Sequence, residues 1–433
     1  PPYIVCRDAA LRERYRERYP HSAQRQFALA APFTERFFQL AEKGGYVGLI
    51  NANSFMKREF GKGLVEKVLP RLDLTGVVDT SGAYIPGHGT PTVILFGRHQ
   101  APQSTRLRAV LGRRGEPTTP DDPAQGQVWS SIRDHFDDPT RAGEGAVYEN
   151  AFVTVADLPR ASFDKHPWSL GGGGAGDLKE AIETACPKRL GQVAEGSIGR
   201  AARTGDDESF TLSAGDVRRL GFQPDWVRDV VIGEVVRDWS VNCIDKMLFP
   251  YAADLTVREL ESTAFVRRMW PMRTTLASRS TFQGNMADAG LRWYEYMQYT
   301  PSANATPLSI AFAFVATHNH FVLDRGGKVF KQTAPILKLP ASATEDDHLA
   351  LLAWLNSSTA CFWMKQVCMG KHMGDGGEAH ADPSSQRFEF DGSKLQGVPI
   401  APPTAEARAM AAALDTLAQA REAAMPRALL AAW

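Results

Sequence analysis

Three residues at the start of the chain have the types and spacing to do chemistry: Pro1, Pro2 and Tyr3, followed by the apolar pair Ile4-Val5. A proline ring locks φ, and a residue that precedes proline is held extended. The Pro1 carbonyl therefore sits on a stiff backbone and offers a hydrogen-bond acceptor in a fixed direction. Tyr3 adds a flat aromatic face. A fixed acceptor beside an aromatic ring suits the gripping of a planar ring that carries an amino group. Taken alone, the tripeptide is also what a proline-rich tail looks like, so the elements downstream decide.

Those elements read as one half of an α/β sheet. Gly44-Gly45 is a turn signal, and the apolar run Val47-Gly48-Leu49-Ile50 ends in the polar stretch Asn51-Ala52-Asn53-Ser54-Phe55, which is a buried strand delivering a loop. Phe60, Leu64, Val65, Val68 and Leu69 recur at helical spacing and predict a helix over 55–69 that Pro70 stops. A second strand is expected from Leu74 to Val78, then a loop from Ser81 to Gly89, and a third strand from Thr92 to Phe96. Strand, helix, strand, loop, strand is an order that places ligand sites at strand ends.

Together these residues resemble the later motifs of adenine-specific DNA methyltransferases, whose catalytic tetrapeptide is Asn-Pro-Pro-Tyr. The nearer likeness is to the large methyltransferases of phage-growth-limitation and bacteriophage-exclusion (BREX) systems, the PglX type, and to fused type IIG restriction-modification enzymes. It is carried by Pro1-Pro2-Tyr3, by Gly48 to Phe55, and by Gly89-Thr90-Pro91-Thr92-Val93-Ile94-Leu95-Phe96. Thr204-Gly205-Asp206-Asp207 and the late block Trp354-Leu355-Asn356-Ser357-Ser358-Thr359-Ala360 extend it over most of the chain. The resemblance implies S-adenosyl-L-methionine as methyl donor and a flipped adenine in double-stranded DNA as acceptor. It makes Pro1, Pro2 and Tyr3 catalytic and has Tyr3 and Tyr84 stack on the base. The adenine amino nitrogen is a poor nucleophile because its lone pair is delocalised into the ring, and two acceptors close to it localise that pair. One would be an amide side chain just before Pro1, the other the Pro1 carbonyl. Donor-binding motifs in such enzymes lie mostly before the tetrapeptide, so the chain is expected to lack sequence at its front and at its end, and to be inactive alone.

Composition bounds the rest. A chain of 433 residues with 43% hydrophobic residues can build two or three cores. No apolar run approaches the roughly 20 residues that cross a bilayer and no signal peptide opens the chain, so a cytoplasmic protein without membrane contact is expected. The cysteines Cys6, Cys186, Cys243, Cys361 and Cys368 are scattered, which signals neither a disulfide framework nor zinc. His318 and His320 would share one face of a strand without a visible third partner, so no metal is expected. The formal net charge of zero is unusual for a binder of phosphates. Arg far outnumbers Lys, however, which suits bidentate contacts.

The expected organisation is α/β: the second half of a Rossmann-like, S-adenosyl-L-methionine-dependent methyltransferase domain at residues 1–165, then a glycine-rich linker at 166–177. An α+β target-recognition domain at 178–400 and a C-terminal helical segment at 401–433 complete it. Gly171 to Gly176 reads as a hinge, because no hydrophobic strand leads into it as a nucleotide loop requires. A helix is expected from Leu178 to Ala185, and two short strands joined by a polar turn across 191–210. Arg292, Trp293, Lys371 and His372 are the candidate DNA contacts, with core packing an equally good reading of the Trp293-Tyr294-Glu295-Tyr296 stripe. The functional expectation is site-specific adenine-N6 methylation in a phage-defence or restriction-modification system, with other proteins of that system as further partners. The alternatives are a non-catalytic DNA-binding or specificity subunit and, behind it, an RNA or protein methyltransferase.

Overall fold

The computed structural model describes residues 2–87, 89–137, 147–261, 263–281, 283–304, 307–371, 386–426 and 428. The chain forms two compact units, Pro1–Ile182 with Lys365–Arg387 and Glu183–Met364 with Phe388–Trp433.

In the first unit α1 (Ala9–Arg18) and α2 (Ala30–Leu40) precede β1 (Tyr46–Ala52), β2 (Asp73–Asp79), β3 (Thr92–Arg98) and β4 (Arg106–Gly112). There follow α3 (Gln127–Phe136), β5 (Val147–Glu149), β6 (Val153–Pro159) and α4 (Ala175–Ala185). The strands make one sheet in the order β1-β3-β2-β4-β6-β5. β3 is antiparallel to both β1 and β2, which therefore run the same way, and β2 is parallel to β4. Pairing of Ala52 with Thr92 and of Asp79 with Val93 brings the carboxyl ends of β1 and β2 to the start of β3. The pleat sends successive residues to opposite faces. Val77 thus joins Ala31, Phe38, Leu49 and Leu95 in one core, and its neighbour Val78 joins Val110, Val128 and Ile132 in another. One face is covered by α2 and the segment after β1, the other by α3.

The three strands expected between 47 and 96 form with their ends extended by one or two residues. Three expectations are corrected. The run 55–69 is not one helix but short 3-10 and π pieces at Asn53–Met56, Glu59–Gly61, Leu64–Val68 and Leu69–Arg71. A Cβ on Gly61 would lie 1.8 Å from the Phe55 carbonyl oxygen, and one on Gly63 would lie 1.9 Å from that of His21. Close backbone approach at two glycines bends the chain while its apolar positions still face inward. The run Gly171–Gly174 is not a free hinge. The Gly172 amide donates to the Gly112 carbonyl (2.9 Å), the Gly173 amide donates to Thr154 Oγ1 (3.1 Å), and a Cβ on Gly172 would sit 2.7 Å from Arg113 Cγ. Glycine is required there for packing on the end of β4, and the unit continues into α4. Finally, Ile4-Val5, apolar residues that read as the start of a strand, do not extend into one: Val5 makes an isolated bridge to Ala28 and both side chains are exposed.

The second unit is α+β. One sheet joins Thr211–Ser213, Asp245–Leu248, Val227–Val231 and Lys328–Phe330, and another joins Phe321–Asp324, Ser309–Phe312, Ile336–Lys338 and Glu195–Gly199. Across 191–210 the strand Glu195–Gly199 forms beside Ile336–Lys338, but the second expected strand is cut to Ala202–Arg203, paired with Gln298–Tyr299, and followed by a helical turn, Asp207–Phe210, because the Asp206 carboxylate accepts from the Ser209 amide at 3.2 Å and caps it. Helices α5 (Glu345–Leu355) and α6 (Ala405–Ala423) pack together, with Arg408 and Asp347 paired at 3.0 Å, and each is capped by a threonine, Thr344 and Thr404.

An aromatic cluster holds one core of this unit. Tyr296 is 1% exposed, packs edge-on against Phe210 and Tyr251 at 5.3 and 5.4 Å, and donates from its hydroxyl to the Leu248 carbonyl at 2.6 Å. Tyr296→Ala is expected to cost about 3–5 kcal/mol, as for other large aromatic truncations. Tyr296→Phe, which only leaves the buried carbonyl unmet, should cost about 1–3 kcal/mol. Urea unfolding of the two variants against wild type measures both, and equal losses would contradict the packing account.

Candidate catalytic edge and aromatic cavity

The carboxyl ends of β1 and β2 gather several buried polar residues of the first unit, Asn51, Thr80 and Thr92 among them. At the end of β1, Asn51 is fully buried. Its side-chain amide donates to Thr34 Oγ1 (2.8 Å), whose hydroxyl donates to the Ala30 carbonyl (2.8 Å), tying β1 to α2. The side-chain oxygens of Asn51 and Asn53 are buried without a hydrogen-bond partner among the described residues.

The loop from β2 to β3 is pinched at its base. Thr80 and Thr92 share a hydroxyl hydrogen bond of 2.7 Å, the Thr80 amide donates to the Thr92 carbonyl, and Asp79 accepts from the amide and hydroxyl of Ser81. The Glu116 amide donates to the Gly82 carbonyl and holds the loop from its other side. Tyr84 stands beyond this stem, half-buried, ahead of Pro86 and the positive-φ Gly87. Tyr3, also half-buried, precedes Ile4, whose carbonyl accepts from the Leu29 amide where α2 begins; burial pushes the Tyr3 phenol up. Pro2 adjoins it, while Pro1 lies outside the described residues.

Sequence reasoning missed Lys57 and Asp79. The Lys57 ammonium donates to the carbonyls of Lys365 and Cys368, both at 3.1 Å. Burial pushes its pKa down to about 8, while Cys368 and the Asp79 carboxylate act in the opposite sense. Burial raises Asp79 in turn, against its bonds from Ser81 and the attraction of Lys57. The available signal was a charge inside an apolar stretch: Lys57 follows Phe55-Met56, and Asp79 closes Val77-Val78.

In the second unit Arg292 and Trp293 line one cavity of about 510 Å³ with Glu259, Arg273, Met286 and Leu291. Arg292 is held by the Glu259 carboxylate (2.6 Å), which raises its pKa, and it donates to the Tyr294 hydroxyl (2.6 Å). Trp293 lies edge-on to Trp270, which is 53% exposed and carries the Arg273 guanidinium over its ring at 4.8 Å. Tyr294 and Tyr296 are core residues. Of the other two candidate DNA contacts, Lys371 is exposed and groups with the first unit, and His372 lies outside the described residues. His318 and His320 fall in the turn before Phe321–Asp324 and not on a strand, and Asp238 joins them there.

The depressed Lys57 has a thermodynamic signature. Its folded pKa of about 8 lies below the unperturbed 10.5, so between these values the unfolded chain binds more protons than the folded one. Stability contributed by this group therefore rises with pH across that window. In urea unfolding at a series of pH values, wild type minus Lys57→Met should show this rise, and a difference curve flat from pH 8 to 10.5 would count against it.

Residues 1–84 match the Eco57I restriction-modification methylase family. The whole chain is 41% identical, over 448 aligned residues, to the adenine-specific methyltransferase PglX of Streptomyces coelicolor, of which it covers 36%. It is 25% identical over 354 residues to the type II methyltransferase M.PaeR7I of Pseudomonas aeruginosa, covering 76% of this chain and 54% of that protein. Among solved structures, the type IIL restriction-modification enzyme MmeI in complex with DNA matches with a TM-score of 0.55 and 13% identity, over 98% of this chain and 49% of that one. The chain thus spans about a third to a half of the length of these relatives. Along all of its own length it resembles the PglX type of adenine-specific methyltransferase, which is related to the restriction-modification methylases.

Proposed function

We propose that residues 1–433 carry the base-binding and target-recognition parts of a site-specific DNA adenine-N6 methyltransferase in a phage-defence or restriction-modification system. Identity of 41% along the whole of this chain to 36% of an adenine-specific methyltransferase is the observation that carries this reading. The position of Tyr84 on a braced loop at the carboxyl edge supports it. In this proposal the Pro1 carbonyl accepts a hydrogen bond from the amino group of a flipped adenine, and Tyr3 and Tyr84 hold the ring. The acceptor is double-stranded DNA, the compartment is the cytoplasm, and other proteins of the same defence system are partners. No helix among the described residues is long and apolar enough to cross a membrane.

The methyl group would come from S-adenosyl-L-methionine. Gly172 and Gly173 do not fit that donor, because Arg113 and Thr154 already fill the space against Gly172 and Arg113 that against Gly173. These glycines are therefore not the donor's site. What these residues contribute is confined to the acceptor side: extracting the base, orienting its amino group and keeping water from its faces.

In the second unit the cavity bounded by Arg273, Arg292 and Trp293 offers cations beside aromatic faces, a combination that suits phosphate and base stacking. DNA affinity of the chain is expected to fall linearly with salt on a double-logarithmic plot, by about 0.9 per neutralised phosphate. A salt-independent affinity would contradict the recognition role.

Extruding a base costs a few kcal/mol, and an aromatic contact returns roughly 1–3 kcal/mol. Assayed on the complete encoded protein, Tyr84→Ala should lower methylation at least about tenfold, or about 1.4 kcal/mol, with melting temperature and DNA affinity nearly unchanged. Tyr84→Phe should keep most activity, because the ring face makes the contact. Wild-type turnover by the alanine variant would remove Tyr84 from the site, and a DNA-binding chain that transfers no methyl groups in the complete protein would favour the specificity-subunit reading.

A further inference from the structure

Asp238, His318 and His320 come together in the second unit although roughly eighty positions separate the first from the others. Their ligand-bearing atoms all lie within 4.8 Å of one another. His320 Nδ1 is 2.7 Å from Asp238 Oδ1, and the two imidazole rings are 4.1 Å apart between centroids. We propose that these three side chains bind a first-row divalent cation of the zinc class.

The donor set favours such an ion. Two imidazole nitrogens and one carboxylate oxygen suit zinc and its neighbours, whereas calcium and magnesium take oxygen. Zinc bonds to nitrogen and carboxylate oxygen are about 2.0–2.2 Å long and the ion is tetrahedral, so two of its ligands lie roughly 3.4 Å apart. From the observed limit of 4.8 Å the closure is roughly 1.4 Å, which His318, exposed at the rim, supplies by turning its ring away from its 3.0 Å contact with Thr317 Oγ1.

The surrounding backbone is built to hold the trio. Asp238 and Trp239 form the turn between Val236–Arg237 and Ser240–Val241; Trp239 takes a positive φ of 65° and its amide donates to the Phe321 carbonyl at 3.0 Å. Such a backbone persists only where its surroundings enforce it. On the histidine side, buried Asn319 donates from its side chain to the Leu355 carbonyl. The Asn356 side chain meets both the amide and the carbonyl of Phe321, at 2.9 and 3.0 Å. The hairpin tip and the residues before Phe321–Asp324 are thus each fixed to α5 or to one another before any ion arrives. A bound cation would clip the hairpin tip to the segment before Phe321–Asp324, with its remaining coordination position open to solvent beside His318.

The test uses the full chain, stripped with a chelator and titrated with zinc chloride by calorimetry, and with cobalt(II) by visible absorption. One equivalent should bind, the melting temperature should rise with free zinc, and cobalt should show ligand-field bands shifted by nitrogen ligation. His318→Ala, at an exposed position, should melt like wild type in chelator yet weaken zinc binding about tenfold or more and abolish the cobalt bands. Asp238→Asn, which can still hydrogen-bond His320, should weaken binding as well. Absence of zinc uptake by wild type, or uptake that both variants leave unchanged, would overturn the assignment.

Discussion

β3 lies antiparallel between two strands that run the same way, and the candidate catalytic edge depends on that pairing. Since β1 and β2 are parallel, the chain must cross over between them through residues 53–72 and return through the loop 80–91. The register makes both excursions leave from one edge. A slip of one residue in β3 would exchange Val93 and Leu95, fully buried in the core under α2, with Ile94 and Phe96, which pack toward α3. That exchange is heavily penalised, so the position of the loop bearing Tyr84 is set by apolar burial far from Tyr84 itself. The shared hydroxyl bond between Thr80 and Thr92 then closes the stem locally.

The same edge is where the unit accepts costly polar burial. Asn51 could have been one more apolar residue of β1; instead it spends its amide on Thr34 and fixes α2 to the sheet. Lys57 reaches the carbonyls of Lys365 and Cys368, more than three hundred residues away. A buried ammonium is tolerated only when its donors are met, so this contact draws 365–371 into the first unit. Lys371, expected with the recognition domain, accordingly belongs to the unit that carries the sheet.

What was legible in the sequence was whatever is written locally. Val47 to Ile50, Leu74 to Val78 and Thr92 to Phe96 are apolar runs bounded by turn residues, and each became a strand. The helix expected at 55–69 failed at Gly61 and Gly63, where the decisive fact is the proximity of the Phe55 and His21 carbonyls. Gly171 to Gly174 has the composition of a linker, but Gly172 fills a slot against Arg113 and Thr154. Partners distant in sequence were equally hidden: Asp238 beside the two histidines, Glu259 opposite Arg292, and Lys365 and Cys368 around Lys57. Each required knowing which segments meet, and no local pattern carries that.

The turn Thr204-Gly205-Asp206-Asp207 is held in place from the interior of the second unit. Gly205 has a φ of 80°, and a Cβ there would meet Met297 Sδ at 3.0 Å and Arg279 Cδ at 3.1 Å. The buried Arg279 guanidinium donates to the carbonyls of Thr204, Leu276, Trp293 and Glu295. Burial lowers its pKa to about 10, which still leaves it charged at neutral pH, with four carbonyl dipoles answering the charge. A lysine could not span the same set, because its three donors radiate from one atom, whereas the guanidinium fork reaches separate strands of backbone. Arg279 therefore holds the Thr204 turn and the Trp293 backbone in one clamp. The cavity wall formed by Trp293 is in this way set by a residue that does not line it.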